Sequence, residues 1–257
     1  MRLRYLPMMF RMIHLGILRQ GQVHTRVVPS TRIKHPPVEQ AIQQAWEQAL
    51  SRPGVRLFDG PVCRMESINW QKEELWICLS QTSYRIVVGT NFANPDFADI
   101  YGPEVMANPL GVSTLVLTRD QYLMMGRRND SVAYYPNRVH PFAGSLEVQA
   151  ESIDLFDNVQ RELREEIGLT PAEVESIRFL GLAEDLNLRH PESLFLTRTC
   201  LTREQIRSRL DPAEHHNTWS VPALVEPVSQ VLDSPDALTP IAQSLLFCWL
   251  KLPSLIR

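Results

Sequence analysis

Apolar positions along the chain alternate between two periods, and the changes of period divide it into elements. Val38, Ala41, Ile42, Ala45, Trp46, Ala49 and Leu50 fall on one helical face, so residues 37–51 are predicted as a helix, started by Pro37 and stopped by Pro53-Gly54. Strand-like runs follow at 62–68 and 75–79, joined by the polar turn Trp70-Gln71-Lys72-Glu73. Residues 92–109 are rich in Asn, Pro, Asp and Gly and read as a long loop or short helices. That stretch divides an N-terminal α+β unit, residues 1–107, from a larger unit, residues 108–257. The larger unit opens with strands at 112–118 and 121–127 around a tight Arg119-Asp120 turn. After a loop with Pro136 and Pro141 comes Phe142-Ala143-Gly144-Ser145-Leu146-Glu147. Leu155, Val159, Leu163 and Ile167 then repeat every four residues along a helix that Gly168 closes. Strands at 177–183 and 193–200, a short helix at 203–210 and a last helix begun by Thr239-Pro240 complete an α+β chain.

Composition narrows the class. The chain has 257 residues, 44% hydrophobic and 21% charged, with a net charge of -3, an ordinary globular balance that gives no sign of a nucleic-acid partner. The longest apolar run, Leu245 to Leu250, is far short of a membrane span. Cys63, Cys78, Cys200 and Cys248 are scattered without CxxC spacing, which fits reduced thiols in the cytoplasm. No acidic residue precedes Glu39, whereas Arg2, Arg4, Arg11, Arg19, Arg26, Arg32 and Lys34 are basic. Arg4 and Arg11 interrupt the apolar stretch that a secretory leader needs, so this region reads as an extended tail and a first strand.

The chemistry concentrates at the end of the Leu155–Ile167 helix. Glu162, Glu165 and Glu166 are three and four residues apart and share one surface, in the last turn where the helix dipole disfavours negative charge. Each like-charge pair costs roughly 0.2–0.5 kcal/mol, and Arg161 and Arg164 offset only part of it. A run such as Arg-Glu-Leu-Arg-Glu-Glu is by itself most often a solvated helix face. The strand pair, the glycine-containing segment and the helix in this order reverse that reading. His215-His216, by contrast, reads as part of a polar loop, since adjacent side chains diverge. Thr90-Asn91 after Gly89 reads as a turn.

Arg161 to Leu169 resembles the second half of the Nudix box, G-x5-E-x7-R-E-U-x-E-E-x-G-U with U apolar, at every fixed position. The first half departs: Ile153 and Glu147 stand where glutamate and glycine are expected. Taking Gly144 and Glu151 as the pair leaves about three extra residues and makes Glu151 the candidate partner of Arg161. The resemblance implies a Nudix fold, a mixed β-sheet between helices. Further stretches, Leu57-Phe58-Asp59, Thr82-Ser83-Tyr84-Arg85, Gly89-Thr90-Asn91, Pro109-Leu110-Gly111-Val112 and Arg127-Arg128, are similar to the atypical UDP-sugar diphosphatase branch, which uses Mg²⁺.

That resemblance places metal ligation on Glu162 and Glu166, with Mn²⁺ as an alternative to Mg²⁺, and catalysis on Arg161, Glu162, Glu165 and Glu166. It places substrate contacts at Phe58, Tyr84, Arg128, Ala133, His140, Ser145 and Glu147, with His140 replacing an aspartate and Ser145 a histidine. Phe58 and Tyr84 could stack on a base or pack in a core. Strand alternation lets one of Arg127 and Arg128 face a phosphate. Glu165, Glu166, Glu184 and Glu192 are alternatives for the general base. The implied partner is a small nucleotide-sugar, cleaved to UMP and a sugar 1-phosphate. Another nucleoside diphosphate derivative, such as ADP-ribose or a dinucleotide, and a non-catalytic sensor of the same fold are the rival readings. The oligomeric state stays open.

Overall fold

The computed structural model describes residues 8–52, 57–130, 132–147, 152–212 and 215–252. Pro53, Gly54 and Glu151, which the sequence reading used, lie outside them. The elements run β1 (Phe10–Leu18), β2 (Val23–Val27), α1 (Pro36–Leu50), β3 (Pro61–Gln71), β4 (Glu74–Ser83) and α2 (Tyr84–Val87). A widened helical turn (Val88–Phe92) extends α2, and α3 (Phe97–Ile100) follows. Then come β5 (Gly111–Leu117), β6 (Tyr122–Arg128), β7 (Val139–His140), β8 (Phe142–Ser145) and α4 (Leu155–Ile167). The chain closes with β9 (Val174–Asp185), β10 (His190–Thr199), α5 (Arg203–Arg207), β11 (His215–Pro222), α6 (Val225–Leu232) and α7 (Pro240–Lys251).

The main sheet has the order β1-β9-β10-β5-β6-β11, with β8 added to β5 and β7 to β6. β10 and β5 are parallel, and the other pairs are antiparallel. β5 is buried along its whole length, which explains why its sequence is apolar without strong alternation. Val112 and Val116 face a core with Phe156, Val159 and Leu163 of α4. Leu115 and Leu117 face the opposite core, with Leu245, Leu246 and Trp249 of α7. The result is the mixed sheet between helices that the family resemblance implies. The strand expected in the basic N-terminal region is β1, which joins the edge of this sheet beside β9.

The second sheet, β2-β4-β3, is small, with β2 and β4 parallel. Leu75, Ile77 and Leu79 of β4 enter the same core as α4. Thr25 of β2 locks onto the chain before α4: its Oγ1 and the backbone N–H and C=O of Ile153 lie within hydrogen-bond distance, 2.7 Å each way.

The structure departs from the sequence reading at several places. His215-His216 begins a strand, β11, because the register with β6 satisfies its backbone. Residues 84–92 are helical, where Thr90-Asn91 had read as a turn. The stretch 225–232, not assigned from sequence, is a helix.

α4 is fixed at both ends. Asp154 Oδ1 accepts from the N–H groups of Phe156 (2.8 Å) and Asp157 (3.3 Å), and Gly168 takes the left-handed conformation (φ 60) that ends the helix. Asp154→Ala is expected to cost about 1 kcal/mol, within a range of about 0.5–2, and to lower Tm by a few degrees. Urea and thermal unfolding measure it; unchanged stability would mean that the helix start is held by other contacts.

Candidate active site

The end of α4 is packed so that two of its three glutamates are buried. Glu162 is 9% exposed and Glu166 6%. Glu165, on the same helix, has an exposed side chain. Arg161 Nη2 lies 2.7 Å from Glu162 Oε1, its Nη1 is 3.7 Å from Glu165 Oε2, and its Nη2 also donates to Asn158 Oδ1 (3.1 Å). The arginine that opens the box half is thus engaged within its own helix. Glu166 Oε1 accepts from the backbone N–H of Ala143 (3.2 Å), and its Oε2 lies 3.2 Å from Nε2 of the buried His215.

Gly144 of β8 completes this arrangement. A Cβ built there would overlap the carboxyl of Glu162, so the glutamate occupies the space that any larger residue would fill. The paired strands β8 and β5 hold Gly144 opposite Val112. The first half of the box is irregular in spacing, yet its glycine reaches the helix glutamate.

The donor set is two carboxylates one helical turn apart beside the β8 backbone. Oxygen donors of this kind suit hard divalent cations such as Mg²⁺ or Mn²⁺. Among the described residues, no group of three His, Cys, Asp or Glu side chains forms a metal cage. A cation would therefore rest on Glu162 and Glu166, with its other positions left to water and ligand oxygens, the usual way Mg²⁺ is held.

Next to Gly144 opens a cleft of about 220 Å³, built from both halves of the chain. β3 and α2 contribute Val62, Tyr84 and Val87, and Phe92 and Pro109 follow; the main sheet contributes Arg128, Ser145, His190 and Glu192, with Tyr134 from the β6–β7 loop. The aromatic wall is continuous: Trp46 of α1 meets Tyr84 edge-on (6.3 Å between centroids), Tyr84 meets Phe92 (6.3 Å), and Phe92 meets Tyr134 (5.4 Å). Burial raises the Tyr84 phenol above its ordinary value. Arg128 is buried, its guanidinium lies 4.4 Å from the Tyr134 ring, and its Nε has no hydrogen-bond partner among the described residues. An arginine in this setting is primed for an anion. Arg127, its neighbour, donates instead to the Asn137 carbonyl (3.0 Å).

The sequence-predicted contacts separate into two groups. Tyr84, Arg128 and Ser145 line the cleft. Phe58, Ala133, His140 and Glu147 are not part of its wall. Phe58 is 80% exposed, on a loop tied to α2 by the Arg85 N–H donating to Asp59 Oδ1 (2.8 Å). Ala133 is exposed beside Tyr134. His140 is buried behind Tyr134, its Nδ1 2.9 Å from Thr239 Oγ1; burial first, then the nearby Arg128, keeps it well below the ordinary imidazole value. Glu147 is exposed and borders a separate surface hollow with Asp154, Asp157 and Arg161.

Of the base candidates, Glu184 pairs with Arg11 at 2.6 Å, and Glu192 lines the cleft. His190, Phe92 and Tyr134 join the wall although sequence reading gave them no role. His215 reaches Glu166 although its surroundings read as a loop. Asn91 has a further part: its Nδ2 donates to the carbonyls of Leu188 and Arg189 (2.9 Å each), fastening the β9–β10 turn to the N-terminal half.

No family model matches the chain. It is 28% identical over 244 residues to uridine diphosphate glucose pyrophosphatase NUDT22 of Homo sapiens, covering 79% of this chain and 78% of that protein. It is 25% identical over 216 residues to Nudix hydrolase 9 of Arabidopsis thaliana, covering 70% and 69%. A solved NUDIX domain of Shewanella oneidensis NrtR complexed with ADP ribose aligns with 61% of this chain and 96% of its own, at 17% identity and a TM-score of 0.41. The motif on α4, the mixed sheet and the curated relatives point the same way: the chain resembles the Nudix-type hydrolases. Within that class the chain resembles the uridine diphosphate glucose pyrophosphatases, human, mouse and bovine alike.

The contact between Gly144 and Glu162 is testable by a double-mutant cycle. Gly144→Ala alone is expected to cost about 1–3 kcal/mol by overpacking, and clearly less in a Glu162→Ala background. Equal costs in both backgrounds, measured by urea unfolding, would show that the two residues do not share this space.

Proposed function

We propose that the chain hydrolyses the pyrophosphate bond of UDP-sugars such as UDP-glucose and UDP-galactose, giving UMP and a sugar 1-phosphate, with Mg²⁺ or Mn²⁺ held by Glu162 and Glu166. The observation that carries the reading is the buried Arg128, its Nε unpartnered among the described residues, in a cleft walled by Tyr84, Phe92 and Tyr134. Arg128 binds the diphosphate, and an aromatic wall suits a flat base, since base–aromatic stacking is worth about 1–3 kcal/mol. The N-terminal unit, residues 1–107, supplies most of that wall, and residues 108–257 supply the arginine and the carboxylates. The resemblance to the UDP-glucose pyrophosphatases spans both units and favours uridine over other bases.

A divalent cation supplies Lewis acidity and charge neutralisation at the diphosphate. The protein's own groups do the rest. Ala143 and His215 orient Glu166, and Arg161 orients Glu162. Glu184 is tied to Arg11. Burial pushes the Glu192 carboxyl up to about 8, so it already carries a proton at neutral pH. Glu165, exposed beside the two buried glutamates, is then the carboxylate that accepts a proton from the attacking water.

The first test is a substrate panel with Mg²⁺: UDP-glucose, UDP-galactose, ADP-ribose and a dinucleoside polyphosphate. UDP-sugars are expected to be cleaved with the highest kcat/KM, and excess chelator to abolish turnover. Cleavage of the adenine nucleotides alone would leave the hydrolase class and remove the UDP-sugar reading. Glu166→Gln is expected to lower kcat by about a hundredfold or more with the fold intact.

Tyr84→Ala is expected to raise KM for UDP-glucose by about 5- to 150-fold, the loss of roughly 1–3 kcal/mol of stacking, with a smaller change in kcat. A lowered Tm with KM unchanged would assign Tyr84 to packing against Trp46 and Phe92 instead.

A further inference from the structure

Glu192 is a buried carboxyl on the cleft wall with a strange set of neighbours. It stands near the start of β10, opposite Gly111 of the parallel β5, and a Cβ at Gly111 would press on its carboxyl group. Ser113, two residues along β5, donates its hydroxyl to Glu192 Oε2 (3.2 Å), and His190 Nε2 lies 3.8 Å from Oε1. Among the described residues no lysine or arginine forms an ion pair with it. The side chain has been given room at the backbone of β5, and among the described residues its close polar partners are a hydroxyl and an imidazole.

The groups facing it fix its state. Burial raises Glu192 to about 8; Ser113 and Arg128 of β6 pull it down, and Asp185 of β9 pushes it up. Burial lowers His190 to about 4, so this imidazole is neutral and supplies no positive charge. Asp185 is raised to about 6, mainly by burial, against the donated hydrogen bonds of the Tyr135 hydroxyl and the Leu188 and Asn187 N–H groups. Around pH 7 the wall therefore carries a neutral acid and a neutral imidazole, with Asp185 mostly ionised one strand away.

A carboxylate on this wall would repel the diphosphate that Arg128 attracts. A carboxylic acid does the reverse, because its O–H is a donor to an anionic oxygen, and such charge-assisted bonds are the strong ones. We propose that Glu192 meets the ligand as a neutral acid and donates a hydrogen bond to a diphosphate oxygen, as a positioning residue and not as the base. This rests on the reading of the cleft as a nucleoside diphosphate site. It gives ligand binding an upper pH limit, with affinity lost as Glu192 ionises.

Glu192→Gln tests this, since the amide keeps a donor and does not titrate. Binding of UDP-glucose and of ADP-ribose, without metal, is measured by calorimetry from about pH 6.5 to 9, where the phosphates of these diesters do not titrate. Wild-type affinity is expected to fall towards tenfold per pH unit above about 8, while the variant, a few-fold weaker at neutral pH, stays flat and binds more tightly than wild type at the alkaline end. A second readout needs no ligand. A raised carboxyl value removes stability progressively as pH rises from the unfolded value, about 4.3, to the folded one, and no further. The Tm difference, variant minus wild type, is therefore expected to widen from about pH 5 to 8 and then level off. Binding that is flat with pH, or a Tm difference that does not change with pH, overturns the role of Glu192 and leaves the proposed function standing. Absence of binding by either nucleotide at every pH removes the proposed function and this contact together.

Discussion

Two carboxylates buried one turn apart at the negative end of a helix set the terms for the rest of the molecule. Taking each of them out of water costs several kcal/mol, and the helix dipole adds to the cost. The surroundings of Glu162 and Glu166 are what that cost requires: the Arg161 guanidinium on one, a backbone N–H and a buried imidazole on the other. Each partner comes from a different place in the chain. Arg161 is local, Ala143 needs β8 against β5, and His215 needs β11 against β6. The sheet must therefore be complete before the helix end is satisfied, so the site and the fold stabilise each other.

The cleft has the same dependence on distant segments. The small sheet shares a core with α4, so the wall bearing Tyr84 cannot shift without disturbing the packing behind the glutamates. Asn91 fastens the β9–β10 turn from the other side, and Arg189 on that turn also pairs with Asp99 at 2.6 Å. The N-terminal half thus holds the strand that carries His190 and Glu192. Stretches such as Gly89-Thr90-Asn91 then have a mechanical meaning: Gly89 packs directly on Ile42 of α1, Thr90 accepts from the Ala107 N–H (3.1 Å), and Asn91 holds the turn.

What could be read from sequence follows from how local each cause is. α1 and α4 were legible because an apolar face repeats within a few residues, α4 also by its stop at Gly168 and α7 by its Thr239-Pro240 start, whereas the cap at Asp154 was not read. β11 was not, because it lies at the sheet edge with exposed His216 and Asn217, and only pairing with β6 defines it. The helical run 84–92 was hidden by Val87, Val88, Gly89 and Thr90, residues of poor helix propensity that tertiary packing overrides. At the site, the glutamates and Arg128 lie in contiguous motifs and could be named. His215 could not, since its value lies in a contact made 49 positions away, with Glu166. A single histidine or glutamate carries no local mark of burial, and for that reason Glu192 appears in the sequence only as one acid among several.

Glu166 and Glu192 show how one side chain can be given two chemical characters. Both are buried, and both sit near a histidine. Glu166 lies at the end of a helix where a backbone N–H and His215 supply partners suited to a carboxylate. Glu192 lies between strands whose backbone groups are already used in the ladder, so one hydroxyl is what remains, and burial decides its protonation. The positive charge that could have reversed this, Arg128, faces the cleft, its Nε unpartnered among the described residues. Sending that guanidinium to a carboxylate would have filled the anion site from within. Leaving Glu192 with a proton of its own keeps both Arg128 and the carboxyl group available to the same ligand.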